Sequence, residues 1–219
     1  MSGKPWKNEL LRNILALMGG TSLAQIIPIA LQPLLRRLYD PEVFGVYSLY
    51  LSYIAIVVVI SSLRYELSIV IQKDDKKAMN LVSLAMLISF ILNTILLIFG
   101  LIFLDSLAAY LKFPEEKASW LLLVPVSAWL LSSYQVMNYW LLRKKAFLAI
   151  SGNKIARRSF EGAVQSGFGI NNYAPGMMLG DIIGNVVNVL AGVYQSIRKG
   201  FSIKWISLSA MKEVAKEQS

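Results

Sequence analysis

Long stretches of this chain carry no charged residue, and no other feature limits its possible folds as tightly. Nothing charged lies between Arg12 and Arg36, between Glu42 and Arg64, between Lys77 and Asp105, or between Lys117 and Arg143. A helix crossing a bilayer needs about 20 mostly apolar residues, and each of these four intervals is long enough. Two further intervals, Glu161 to Asp181 and Asp181 to Arg198, are shorter. The segment Asn171-Asn172-Tyr173-Ala174-Pro175-Gly176 separates them as a turn would. The pattern predicts an all-α integral membrane protein with six transmembrane helices, near 13–35, 43–71, 79–104, 118–142, 155–172 and 176–197. Composition agrees: 56% of residues are hydrophobic and 16% charged, whereas a soluble domain carries about 25% charged residues.

The basic residues set the expected orientation. With the N-terminus in the cytoplasm, seventeen of the 22 lysines and arginines fall on the cytoplasmic side. Arg36, Arg37, Lys112 and Lys117 fall outside, and Arg64 lies within the second helix. This bias matches the positive-inside rule, so both ends are expected in the cytoplasm. It also accounts for the net charge of +9 without nucleic acid, since the basic excess faces anionic lipids. Ser22-Leu23-Ala24 resembles a signal-peptide cleavage site, but the apolar run continues to Leu35, so the first segment is expected to stay as a span. Tyr39, Phe44, Tyr47, Tyr110, Phe113, Trp120, Tyr139 and Trp140 sit where interfacial aromatic belts would lie. Residues 1–200 are read as the transmembrane lobe. Residues 201–219 mix lysine and glutamate with Ile203, Trp205, Ile206, Leu208, Met211 and Val214, as an amphipathic helix on the cytoplasmic surface would.

The chain has no His and no Cys, which removes thiol nucleophiles, Ser–His triads and His- or Cys-based metal sites. Asp74-Asp75 and Glu115-Glu116 adjoin lysines and read as solvated loop charge. No catalytic residue, metal or cofactor is expected. The polar residues inside the spans are the candidates for function, because a charge in a bilayer faces a cavity or a partner. Arg64 and Glu66, about 200° apart on one helix, cannot share a partner. One of them lines a cavity, or both snorkel to the interface. Arg157, Glu161, Gln165 and Asn172 recur at helical spacing, and Arg157 and Glu161 can pair at i,i+4. That face lines water or packs on another helix. Gly176, Gly180 and Gly184 permit close helix approach. Asp181, Asn185, Asn188 and Gly192 form a second stripe, in which Asp181 is either a proton or cation site or a hydrogen-bond partner to a neighbouring helix. Gln25 and Gln32 share the first helix with Pro28 and Pro33, which favour a kink or a break. Pro125, Gln135 and Asn138 mark the fourth.

Three segments carry a resemblance. Arg37-Leu38-Tyr39-Asp40-Pro41-Glu42-Val43-Phe44-Gly45 resembles the R-L-Y-x-P-x-x-F-G link of bacterial polysaccharide flippases. Ser62-Leu63-Arg64-Tyr65-Glu66-Leu67-Ser68-Ile69 is similar to their S-L-R-Y-E-x-A-I segment, with Ser68 at the usual alanine. Trp140 to Phe147 resembles their W-L-x-R-x-x-x-F motif. The resemblance runs from about residue 10 to 216 and is to Wzx-like lipopolysaccharide/polysaccharide exporters of the multidrug/oligosaccharidyl-lipid/polysaccharide superfamily. It implies one lobe of a two-lobe carrier that moves undecaprenyl-linked oligosaccharide across the inner membrane, with membrane lipids, a glycan polymerase or glycosyltransferases as partners. Such proteins have twelve or more helices, so the six spans here look like a truncated N-terminal lobe. On that reading Arg64 and Arg157 are candidates to hold a lipid pyrophosphate. A cation-coupled drug exporter of the same superfamily would instead centre on Asp181 and Glu161. A non-catalytic subunit of a glycan assembly complex is a third reading.

Overall fold

A computed structural model describes the backbone of residues 5–218 and the side chains of 15 and 17–217. The described chain is helical: α1 (Pro5–Leu38), α2 (Pro41–Ser61), α3 (Glu66–Ile71), α4 (Asp75–Ile102), α5 (Leu104–Tyr110), α6 (Leu123–Arg143), α7 (Phe147–Ile170), α8 (Gly176–Arg198) and α9 (Leu208–Gln218). Among the described residues, five spans are long and apolar enough to cross a membrane: 17–38, 41–61, 75–102, 115–143 and 176–198. The chain is thus an all-α, multi-pass membrane protein.

The expected fifth span is α7, and its composition sets it apart. Its 24 residues reach about 36 Å, enough for a bilayer core of about 30 Å. Lys154, Arg157, Arg158 and Glu161 make it too polar to face lipid alone. Its neighbours resolve the conflict. α7 packs along α1 on one flank and α8 on the other, while α6 touches α2, α3, α4 and α8. The α7–α8 approach rests on glycine. A β-carbon at Gly180 would come within 2.4 Å of Gln165 Cγ and 2.9 Å of the Glu161 carbonyl oxygen. One at Gly184 would lie 3.0 Å from the Arg157 carbonyl oxygen. On the α1 side, a β-carbon at Gly162 would meet Leu31 Cδ1 at 2.1 Å.

The other boundaries correct the sequence reading. The second span was expected to continue to residue 71, but α2 ends at Ser61 because Leu63 (φ 48°) and Arg64 (φ 64°) adopt the left-handed region, which interrupts a right-handed helix. α3 then restarts at Glu66. Pro28 and Pro33 lie inside α1 without breaking it. Pro125 falls in the first turn of α6, after a 3-10 stretch at Glu115–Leu122, where its missing N–H costs little. Several of the aromatics expected as interfacial anchors are core residues instead: Tyr39, Phe113 and Trp140 are all buried, whereas Tyr110 is 86% exposed. The sharp reversals have one mechanism. Lys145, Asn172 and Gly200 take positive φ after α6, α7 and α8. The following amides return to helix carbonyls: Ala146 to Leu141, Tyr173 to Phe168 and Phe201 to Ser196, each within 3.1 Å.

The tail forms a helix that packs one face on the bundle. α9 docks on the start of α4, burying Val214 with Ile69, Leu81 and Trp140. Lys77 pairs with Glu213 and Glu217. Asn80 grips the preceding segment, donating to the Trp205 carbonyl at 3.0 Å and accepting from the Ser207 amide at 3.1 Å. The Lys76 ammonium sits 3.8 Å from the Trp205 ring centroid. Beside it, Arg143 hydrogen-bonds Asp75 and the carbonyls closing α3.

Candidate functional site

An ionic network is built inside the bundle where α7 meets α8 and α2. Arg158 forks onto Glu161, its Nη1 donating to Oε1 at 3.0 Å and Oε2 at 2.9 Å. Arg157 reaches across to α8, where its Nη2 donates to Asp181 Oδ1 at 3.1 Å. Asp181 also accepts from Asn185 Nδ2 at 3.1 Å and from the Tyr50 hydroxyl at 3.3 Å. Tyr50 also hydrogen-bonds Ser127 of α6, so α2, α7 and α8 meet at one carboxylate and α6 joins them through Tyr50. Tyr47, one turn before Tyr50 and stacked on it, donates to Glu161 Oε1 at 3.4 Å. Gln165 donates to Tyr47 and to the Met177 carbonyl. The Tyr39 hydroxyl closes the end of the network on the Gln165 carbonyl at 2.7 Å. Burial pushes the Tyr39 phenol up to about 12, which keeps it a donor.

The network holds two arginines and two carboxylates, and formal charge cancels. Glu161, Gln165, Asp181 and Asn185 are each at most 5% exposed. Burial of charge at this depth demands such pairing. Two polar atoms of the network are buried without a hydrogen-bond partner, Asn185 Oδ1 and Arg157 Nε.

The structure therefore gathers Arg157, Glu161, Gln165, Asp181 and Asn185 in one place. It changes one pairing, because Arg157 Nε lies 3.9 Å from Glu161 while Arg158, at i,i+3, holds that carboxylate. Gln25 stays outside, exposed on α1. Arg64 and Glu66 form a separate site at the opposite end of α2. Glu66 is 5% exposed and accepts from the Ser62 hydroxyl. Arg64 is exposed in the turn, with no ion-pair partner among the described residues. The sequence reading missed Tyr50, Ser127 and the roles of Tyr47 and Arg158. The signal for the tyrosines is their i,i+3 spacing on α2, which faces both rings the same way.

Comparison with known proteins is consistent with these features. Neither a search of curated proteins nor one of solved structures returned a match. A family model described as "Polysaccharide biosynthesis protein" matches residues 10–151, about two thirds of the chain, from α1 into the start of α7. This multi-pass membrane protein belongs to the polysaccharide biosynthesis protein family.

Proposed function

We propose that the chain is the N-terminal lobe of a Wzx-like flippase that carries undecaprenyl-linked oligosaccharide across the bacterial inner membrane, for lipopolysaccharide or other surface polysaccharide. The carrying observation is the ionic network held between spans in a chain of this family. A carrier that rocks between two states needs polar groups at depth that keep partners in both. Residues 1–200 act as the lobe, residues 201–219 lead toward a second lobe, and both ends face the cytoplasm. A glycan polymerase or glycosyltransferases would supply or consume the cargo. The work is transport, with no bond made or broken.

The ion pairs favour one arginine as the cargo contact. Arg157 and Arg158 are ion-paired with Asp181 and Glu161, so they offer little charge to a pyrophosphate in this state. Arg64 is exposed and unpaired among the described residues, and its fork suits a phosphate. The same pairing weakens the drug-exporter reading, since both buried acids already have cationic partners and present no free negative charge.

The test uses the exporter encoded by the parent locus, expressed in a strain lacking that locus. Arg64→Lys should lower surface polysaccharide by about tenfold, the scale of a lost charge-assisted contact, while membrane levels of the protein stay unchanged. Arg64→Ala should lower it at least as far. Export by Arg64→Lys at the parent level contradicts the phosphate role and leaves Arg64 as an interfacial anchor.

A further inference from the structure

The end of the bundle away from α9 carries a polar groove of about 250 Å3. Its walls are the last turn of α1, the α1–α2 link, the first turn of α2 and the α7–α8 link, with Arg36, Arg37, Tyr39, Asp40, Pro41 and Asn172 among the lining residues. Four observations define its chemistry. Arg36 and Arg37 are exposed, and neither has an ion-pair or hydrogen-bond partner among the described residues. Among the described residues, Asp40 is the only acid lining the groove, so the balance there is two cations to one anion. Lys117 is taken by Glu42, which withdraws the nearby acid as a partner for either arginine. Finally, Asp40 makes no side-chain cap on α2, while its carbonyl accepts from the Val43 and Phe44 amides, so the positive charge of the groove comes from the two arginines rather than from the helix end.

The depth of the groove narrows the ligand. The apolar stretches 17–38 and 41–61 meet at this point, and 176–198 starts beside it. The groove therefore lies at the rim of the spans, where lipid phosphates lie. Two adjacent guanidinium forks match the several oxygens of a phosphate better than any neutral group. We propose that the Arg36–Arg37 groove is a phosphate-binding site on the face opposite the tail, suited to the phosphate of a lipid headgroup or to a free phosphate ion. It lies apart from the Arg64 turn and from the Arg157–Asp181 network, and it holds whether or not the chain exports glycan.

The test is retention of lipid by the purified full chain in detergent, read by native mass spectrometry after incubation with phosphatidylglycerol. The parent chain should retain it, and Arg36→Gln/Arg37→Gln should retain about tenfold less, as loss of charge-assisted hydrogen bonds implies. Lys112→Gln, which removes another basic residue of the same side, should match the parent. Diacylglycerol with the same chains, which lacks phosphate, should not be retained. Inorganic phosphate then separates the two sources. Displacement of the lipid by the ion assigns the site to phosphate as such, and persistence assigns it to the headgroup with its chains. Equal retention by the parent and the double variant overturns the proposal, as does equal retention of diacylglycerol. If the double variant does not fold, Arg36→Lys/Arg37→Lys keeps the charge without the forks. It should retain less phosphatidylglycerol than the parent, and parent-level retention again overturns the proposal.

Discussion

Asp181 shows how a single residue ties the bundle together. Its carboxylate is 2% exposed and takes hydrogen bonds from Arg157, Asn185 and Tyr50. Removing one member of such a pair leaves the other charged and mostly buried, which costs up to about 3 kcal/mol when the remaining charge keeps some solvent and a second carboxylate nearby. Asp181→Asn should therefore lower stability by about that amount in denaturant unfolding in detergent. Asp181→Asn/Arg157→Gln should recover part of the loss, with a coupling of at least about 1 kcal/mol. Simple addition of the two single effects would mean that the arginine finds another partner, and the proposed network would fail. The spacing of Arg157, Glu161 and Gln165 made their shared face legible from sequence. The partners were not, because i,i+3 and i,i+4 neighbours lie on the same surface of a helix, and only side-chain geometry gives Glu161 to Arg158. Contact between Arg157 and Asp181 depends on the register of two helices, which no single-helix pattern contains.

That register belongs to the elements. α7 and α8 approach so closely because Gly176, Gly180 and Gly184 leave the facing surface bare. At Gly180 the obstruction includes the backbone carbonyl of Glu161, which cannot rotate aside as a side chain can. Gly180→Ala should lower stability by about 1–3 kcal/mol, the range for overpacking, and should shift the network built on Glu161. Gly167→Ala is the matched comparison. A β-carbon there meets nothing within 4 Å, so the change should be neutral or stabilising by up to about 1 kcal/mol. Thermal unfolding of both variants checks this, and an equal loss in the two would contradict the close-packing account. The glycine spacing was readable in the sequence, as was the turn at residues 171–176. The break after Ser61 was not. Leu63 and Arg64 are poor candidates for the left-handed region, and the apolar run continues past them, so hydropathy alone joins α2 to α3. The docking of α9 was equally hidden, because Asn80 and Lys77, which hold it, lie more than 120 residues away.

At the scale of the whole molecule, charge-free intervals predicted the five apolar spans, since bilayer thickness sets their length directly. α7 is the element on which the topology depends. It is long enough to cross but carries Lys154, Arg157, Arg158 and Glu161. α1 and α8 flank it, and the acids neutralise Arg157 and Arg158 within the fold. On this account the polar helix crosses the membrane because the bundle, rather than its own composition, shields it. The ends of α7 must then lie on opposite sides. The chain has no native cysteine, which makes the measurement clean. Single substitutions Gly152→Cys and Asn172→Cys, both at exposed positions, are treated in intact cells with a membrane-impermeant maleimide. If α7 crosses, Asn172→Cys is labelled from outside, while Gly152→Cys is labelled only after the cells are opened. Labelling of both positions from the same side would contradict it, and α7 would then be a surface helix in a five-span protein.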